Sequence, residues 1–413
     1  MSNPKASRRA ALDNPDFLVY QLARLIVIVG LEMQSVAVGW QVYEVTRQPL
    51  ALGFVGLAQF LPAFLLFLIS GHAADRFDRR RLLTLCYVGF ALCSALLLYA
   101  SYSGVRSVSP IYVLLVLIGV VRSFSSPASR AILPQLVREE HFQSAVAWNA
   151  TVFQSATLLG PALGGVVYAI FGGPSAVYAT AALASGAAAL LTLRIRPRAR
   201  RLVPEEVSFQ TVFAGLRYIF QHKVILGSIS LDLFAVFFGG AVALLPVYAR
   251  ELLHTGPWGL GLLRSAPAIG ALVMAVLLAR RPLRGRVGAI LFWCVAGFGV
   301  FTILFGVSRS LVLSMIALLL VGAFDMVSVI IRNTLVQVAT PDRMRGRVTA
   351  VEMIFLGASN ELGEFESGLT AHWFGTVPAV ILGGVGALLV TALWAYAFPE
   401  LRKADQIMQA AEE

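Results

Sequence analysis

Twelve long apolar stretches occupy almost the whole chain, and that property leaves few folds open to it. They run approximately over residues 17–44, 48–73, 81–101, 110–130, 144–171, 174–194, 223–250, 256–279, 286–307, 310–333, 347–373 and 376–398. A helix needs roughly 20 apolar residues to cross the hydrocarbon of a bilayer. Charged residues inside these stretches are not scattered. Away from the span ends they occur in spans 1, 4, 7, 8, 10 and 11, and spans 3, 6, 9 and 12 carry none. A charge in hydrocarbon costs a few kcal/mol or more, so such groups turn toward a cavity or a partner. The period of three therefore separates helices facing a polar interior from helices facing lipid. The fold expected is all-α, an integral membrane protein of twelve transmembrane helices around a polar central pathway.

Composition supports the same reading. The chain is 58% hydrophobic and 13% charged, against about 25% charged residues in a soluble protein. Loops of a few residues join most spans, which leaves no room for a soluble catalytic domain. No nucleophile–base pair or phosphate-binding loop is present, so an enzyme is not expected, and neither is a cofactor. The net charge of +11 raises the question of nucleic acid, but its distribution answers against it. When Lys and Arg are assigned to alternate sides, 26 of the 33 fall on the side holding both termini. Four fall opposite (Arg47, Arg106, Arg250 and Arg309), and Arg24, Arg122 and Arg264 lie within spans. The positive-inside rule then places both termini in the cytoplasm, and an even span count agrees. The first stretch contains Arg24 and Glu32 and lacks a small-residue cleavage site, so it does not read as a cleaved leader. Cys86, Cys93 and Cys294 fall in apolar spans and read as packing residues rather than metal ligands or disulfide partners.

Three segments follow: a bundle over 1–194, a basic linker over 195–222 and a second bundle over 223–413. The linker opens with a run of arginines from Arg194 to Arg201. Its second part has Phe209, Val212, Phe213, Leu216, Ile219 and Phe220 at helical spacing. That pattern predicts an amphipathic helix on the cytoplasmic surface, near anionic lipid headgroups. The two bundles resemble each other. A shift of 202 positions superposes Arg130 on Arg332, Leu133 on Leu335, Gln135 on Gln337, Val146 on Val348 and Phe153 on Phe355. A parallel repeat of two six-helix halves is a known transporter plan.

Four motifs stand out. The loop between spans 2 and 3 runs from Gly71 through Asp75, Arg76, Asp78, Arg79 and Arg80 to Arg81. Span 5 contains Gly160-Pro161-Ala162-Leu163-Gly164-Gly165. Span 4 ends in Phe124-Ser125-Ser126-Pro127-Ala128, with Leu133-Pro134 beyond. Span 11 contains Ser359-Asn360-Glu361-Leu362-Gly363-Glu364-Phe365-Glu366, three glutamates in six residues in mid-span. Glu361 and Glu364 share a helix face at i, i+3, and Glu366 points elsewhere. Carboxyls clustered in a low-dielectric setting repel one another and take up a proton more readily. The alternative role for them is a structural network, with Arg332 or the loop arginines as partners.

Together these stretches resemble the major facilitator superfamily, and in spans 4 and 11 its enterobactin-exporter-like branch. The first loop is similar to the family's signature loop, Gly-x-x-x-Asp-Arg/Lys-x-Gly-Arg-Arg/Lys, with Asp78 in place of the second glycine. The corresponding second-half loop, Arg280 to Arg286, lacks the aspartate. The span 5 motif resembles the one found in drug and metabolite antiporters and points toward export. The resemblance implies two pseudo-symmetric six-helix bundles in the bacterial inner membrane. It also implies a monomer exporting a siderophore or similar small molecule, with protons as the coupling ion and lipids as the surrounding partner. Candidate substrate and proton-coupling residues are Arg24, Glu32, Asp232, Glu361 and Glu364. Gly71, Asp75, Arg76, Arg79, Arg80, Arg122, Asp325 and Arg332 are the candidate cytoplasmic gate, in which Asp75 would meet the positive end of an opposing helix. Gly160, Pro161, Gly164 and Gly165 form the antiporter-like seam. A multidrug effluxer, a metal-ion transporter and a lipid flippase remain as alternatives. The metal reading is weakened because His72, His141, His222, His254 and His372 lie mostly at loops or span ends. Reporter tags at either terminus and within 195–222 are expected to read cytoplasmic, and a periplasmic signal from any of them would reverse the orientation.

Overall fold

The structure is a computed structural model that describes residues 11–104, 107–196, 209–281 and 286–402. Every predicted span is helical, and no strand occurs among the described residues. Spans 1, 3, 4, 5 and 6 are the helices Pro15–Thr46, Arg79–Tyr102, Ser109–Leu136, Phe142–Phe171 and Ser175–Arg194. Spans 8 to 12 are Gly256–Arg280, Val287–Val307, Leu311–Ala339, Asp342–Phe374 and Thr376–Ala397. Several run past their predicted ends, because hydropathy falls before the helical hydrogen bonding does. Span 10 reaches Ala339, so Arg332, expected at the very end of its span, lies two turns inside the helix.

Ten helices are long and apolar enough to cross a membrane, among the described residues. The two spans that fall short do so for different reasons. Span 2 is broken into Pro49–Leu65 and Phe67–Arg76, with Pro62 inside the first piece. Proline removes a backbone donor and crowds the preceding turn, which favours a break there. Span 11 is continuous but carries Glu352, Glu361, Glu364 and Glu366. Span 7 is a helix over Lys223–Phe238 that breaks at Gly239 and Gly240, then continues through short 3-10, α and π turns to Leu252. At the break a Cβ on Gly240 would stand 2.5 Å from the Gly363 carbonyl oxygen, so span 11 presses on span 7 backbone to backbone.

Contacts divide the chain into two compact units, Met1–Thr46 with Ala58–Val207, and Arg47–Leu57 with Ser208–Glu413. The start of span 2 thus packs with the second unit. The linker helix, Phe209–Gln221, does the same. Its inner face sets buried Ile219 against Ile225, Val336, Val348 and Val351, with Val212 and Leu216 packed alongside. Phe213 and Phe220, on the other face, are 65% and 62% exposed.

Lipid gives helices no hydrophobic reason to associate, so small residues and polar links carry the packing. In the first unit Tyr178 donates to Gln41 Oε1 at 2.6 Å, and Ser94 donates to Gln34 Oε1 at 2.6 Å. These bonds tie span 1 to spans 6 and 3. Span 5 closes on span 1 through its glycines. A Cβ on Gly160 would lie 2.4 Å from Glu32 Cβ, and one on Gly164 would lie 2.7 Å from Met33 Cα. The second neighbour is backbone and cannot step aside. Gly164→Val is therefore expected to destabilise the protein by about 1–3 kcal/mol through overpacking. Thermal unfolding in detergent checks this, and an unchanged midpoint would show that the seam tolerates bulk.

Candidate functional site

In the second unit three spans converge on one guanidinium. Arg332 of span 10 is 3% exposed. Its Nη1 pairs with Asp232 Oδ2 of span 7, and its Nε lies 3.4 Å from Glu352 Oε1 of span 11. Asp232 is itself 6% exposed. Taking charges out of water costs several kcal/mol per ion, and mutual pairing with good geometry offsets it. Asp232 was a coupling candidate and Arg332 a gate candidate; here they form a pair. Sequence reasoning passed over Glu352, the third member.

A small cavity lies beside this pair, between spans 7, 9 and 10. It is lined by Asp232, Asp325, Ser328, Cys294, Phe298 and Phe324, among others. Asp325 thus faces a space inside the second unit. The span 11 pair occupies a different place. A Cβ on Gly56, at the start of span 2, would stand 2.8 Å from Glu364 Oε2 and 3.1 Å from Glu361 Oε2. Both carboxylates therefore approach the same glycine. Phe54 and Phe365 flank the contact, with ring centroids 5.4 Å apart. Glu366 points elsewhere and accepts from Thr370 Oγ1 at 2.7 Å.

In the first unit Arg24 donates from Nη1 to the Asn149 carbonyl and lies 5.8 Å from the Phe153 ring centroid. Both partners are on span 5. Glu32 meets span 5 at Gly160, one turn before Gly164. Pro161 and Gly165 of the same motif are buried. Arg76 and Arg122 are exposed. Arg79 Nε donates to the Ala74 carbonyl at 3.3 Å, and Arg80 Nη2 donates to the Leu193 carbonyl. These two arginines satisfy carbonyls at the ends of spans 2 and 6. Gly71 has open space where a Cβ would stand. The side chain of Asp75 lies outside the described residues. Asp78 explains its own departure from the family pattern: it caps span 3, accepting from the Arg81 backbone N–H at 3.0 Å. A capping carboxylate satisfies one of the unpaired donors of a helix start.

The sequence profile of the transmembrane secretion effector family, within the major facilitator superfamily, matches residues 6–413. The chain belongs to that family. The enterobactin exporter EntS of Citrobacter koseri is 27% identical over 381 residues, which cover 91% of this chain and 86% of that protein. The enterobactin exporter EntS of Shigella boydii is 26% identical with the same coverage. Among solved structures, a bacterial homologue of the human lysosomal transporter Spinster matches with a TM-score of 0.72 at 12% identity. That match covers 96% of this chain and 97% of the other. A D-xylose–proton symporter matches with a TM-score of 0.68 at 16% identity, covering 92% and 96%. At such identities the likeness speaks for the fold, the major facilitator fold of twelve helices. This member of the family is a multi-pass inner-membrane transporter of a small molecule, not an enzyme.

The Arg332 network gives a direct stability test. Arg332→Gln strands Asp232 and Glu352 without their shared cation. Breaking a buried pair in this way costs roughly 3–5 kcal/mol. The variant is expected to melt well below the parent in detergent, and equal melting would show that the pair contributes nothing to the fold.

Proposed function

We propose that the protein is a proton-coupled exporter that moves a siderophore or a related small molecule across the inner membrane by alternating access. The observation that carries this reading is the pair Glu361 and Glu364, converging on Gly56 in a chain whose relatives along 91% of its length are enterobactin exporters. Two carboxylates held this close in a low-dielectric setting repel, and one proton relieves the repulsion. Release of that proton on one side of the membrane and its uptake on the other would let the proton gradient drive cargo outward. The charge asymmetry of the loops supports cytoplasmic termini. In this reading the loop from Gly71 to Arg81 acts as the cytoplasmic latch, with Asp75 as its acceptor.

A broader multidrug range is the second reading. It is favoured by the close glycine seam of span 5 against span 1, because the motif resembles that of drug antiporters. Metabolite profiling of culture medium from a deletion strain and its parent separates the two. Loss of a siderophore from the medium supports the first reading, and drug sensitivity without that loss supports the second.

Coupling is tested in the variants Glu361→Gln and Glu364→Gln, whose amides mimic the protonated acid. A proton-carrying residue, once replaced, is expected to abolish proton-driven export while leaving counterflow exchange and thermal stability near the parent. Full proton-driven activity in both variants removes the pair from the mechanism. Lost stability together with lost transport assigns it to the fold.

A further inference from the structure

We propose that the cavity between spans 7, 9 and 10 is a second proton-binding site, in which Asp325 carries the proton and Asp232 stays ionised as the counter-ion of Arg332. The cavity is only about 10 Å³. That is room for about one water molecule and far too little for an organic cargo, since ligand pockets run to hundreds of Å³. Its polar lining is Asp232 from span 7 and Asp325 and Ser328 from span 10; span 9 contributes Cys294, Val295 and Phe298 and no charge. Ser328, 3% exposed, lines the cavity with a hydroxyl that can both donate to and accept from a water or a protonated carboxyl. Asp325, Ser328 and Arg332 follow one another at i, i+3 and i+7, along one face of span 10.

The charge balance points the same way. Three carboxylates, Asp232, Asp325 and Glu352, share the neighbourhood with one cation, Arg332. Asp232 and Glu352 both reach the guanidinium, and no ion pair to Asp325 occurs among the described residues. If all three were ionised, the interior of the unit would hold two uncompensated negative charges. A proton on Asp325 removes one of them and supplies an O–H donor for the cavity. Of the two carboxylates at the guanidinium Glu352 is the more exposed, its side chain 14% exposed against 8% for Asp232. The proposal deepens the proton-coupled reading, on which its part in transport rests. Binding itself is measured without cargo, so a failure of one is distinguishable from a failure of the other.

The test compares thermal unfolding of the detergent-solubilised parent, Asp325→Asn and Asp232→Asn across pH. Asparagine matches the protonated acid in shape and charge. A group that keeps its proton in the folded state and loses it in the unfolded state makes stability fall as pH rises. The parent is therefore expected to lose stability with rising pH by more than Asp325→Asn does. At acid pH the two are expected to melt alike. Asp232→Asn, which strips Arg332 of a partner, is expected to melt lower at every pH. Infrared difference spectra should show a protonated carboxyl in the parent at neutral pH that is missing from Asp325→Asn. The proposal is overturned if Asp325→Asn fails to fold or melts low at every pH, as a broken ion pair would. It is also overturned if the pH slope and the carboxyl band survive the substitution. Stabilisation of the parent by sodium ions at fixed pH, lost in Asp325→Asn, would overturn it too, by placing a metal cation where the proton is proposed.

Discussion

Helices in hydrocarbon gain nothing by hiding apolar side chains from one another, because lipid tails are as apolar as leucine. Everything that holds these spans in place must come from close backbone packing or from polar groups that lipid cannot solvate. The first unit relies mainly on the former and on neutral hydrogen bonds. Gly160 and Gly164 bring span 5 onto span 1, and Tyr178, Gln41, Ser94 and Gln34 link spans 1, 3 and 6. The second unit adds a buried cation shared by two carboxylates. Arg332 is 3% exposed and ion-paired on both sides, whereas its counterpart Arg130 is an exposed residue of span 4.

Acidic groups are unevenly shared as well. Asp232, Asp325, Glu352, Glu361, Glu364 and Glu366 all lie on spans of the second unit. The first unit holds Glu32 beside the glycine seam, well inside span 1. Function in a fold of this kind resides in sites placed on it and not in the scaffold. The proposed proton chemistry therefore falls on the second unit. The first unit offers arginines, amides and hydroxyls, groups suited to holding a polar cargo by hydrogen bonds.

Much of this was legible in the sequence. The spans, the linker helix and the special character of span 11 followed from hydropathy and from charges placed where charges are costly. What was not legible depends on partners far apart in sequence. The role of Asp78 as a helix cap became visible only once span 3 was seen to start at Arg79. Gly56 looked like one small residue among many until two carboxylates were found to converge on it. Glu352 is a further case: its carboxylate reaches Arg332 of the preceding span, where that guanidinium also meets Asp232 of span 7. The break in span 2 was hinted at by Pro62, but a proline alone does not say whether a helix kinks or stops.

The carboxylates of span 11 bear on how the chain enters the bilayer during synthesis. Each acidic residue near the centre of a helix raises the cost of partitioning into lipid by about 2.5–3.5 kcal/mol on insertion scales, so span 11 is a poor candidate to insert by itself. Its preceding neighbour carries the matching cation across a turn of a few residues. When span 11 is made, the ion partners around its Glu352, Arg332 of span 10 and Asp232 of span 7, have already been synthesised. The order of the helices along the chain doubles as an order of assembly.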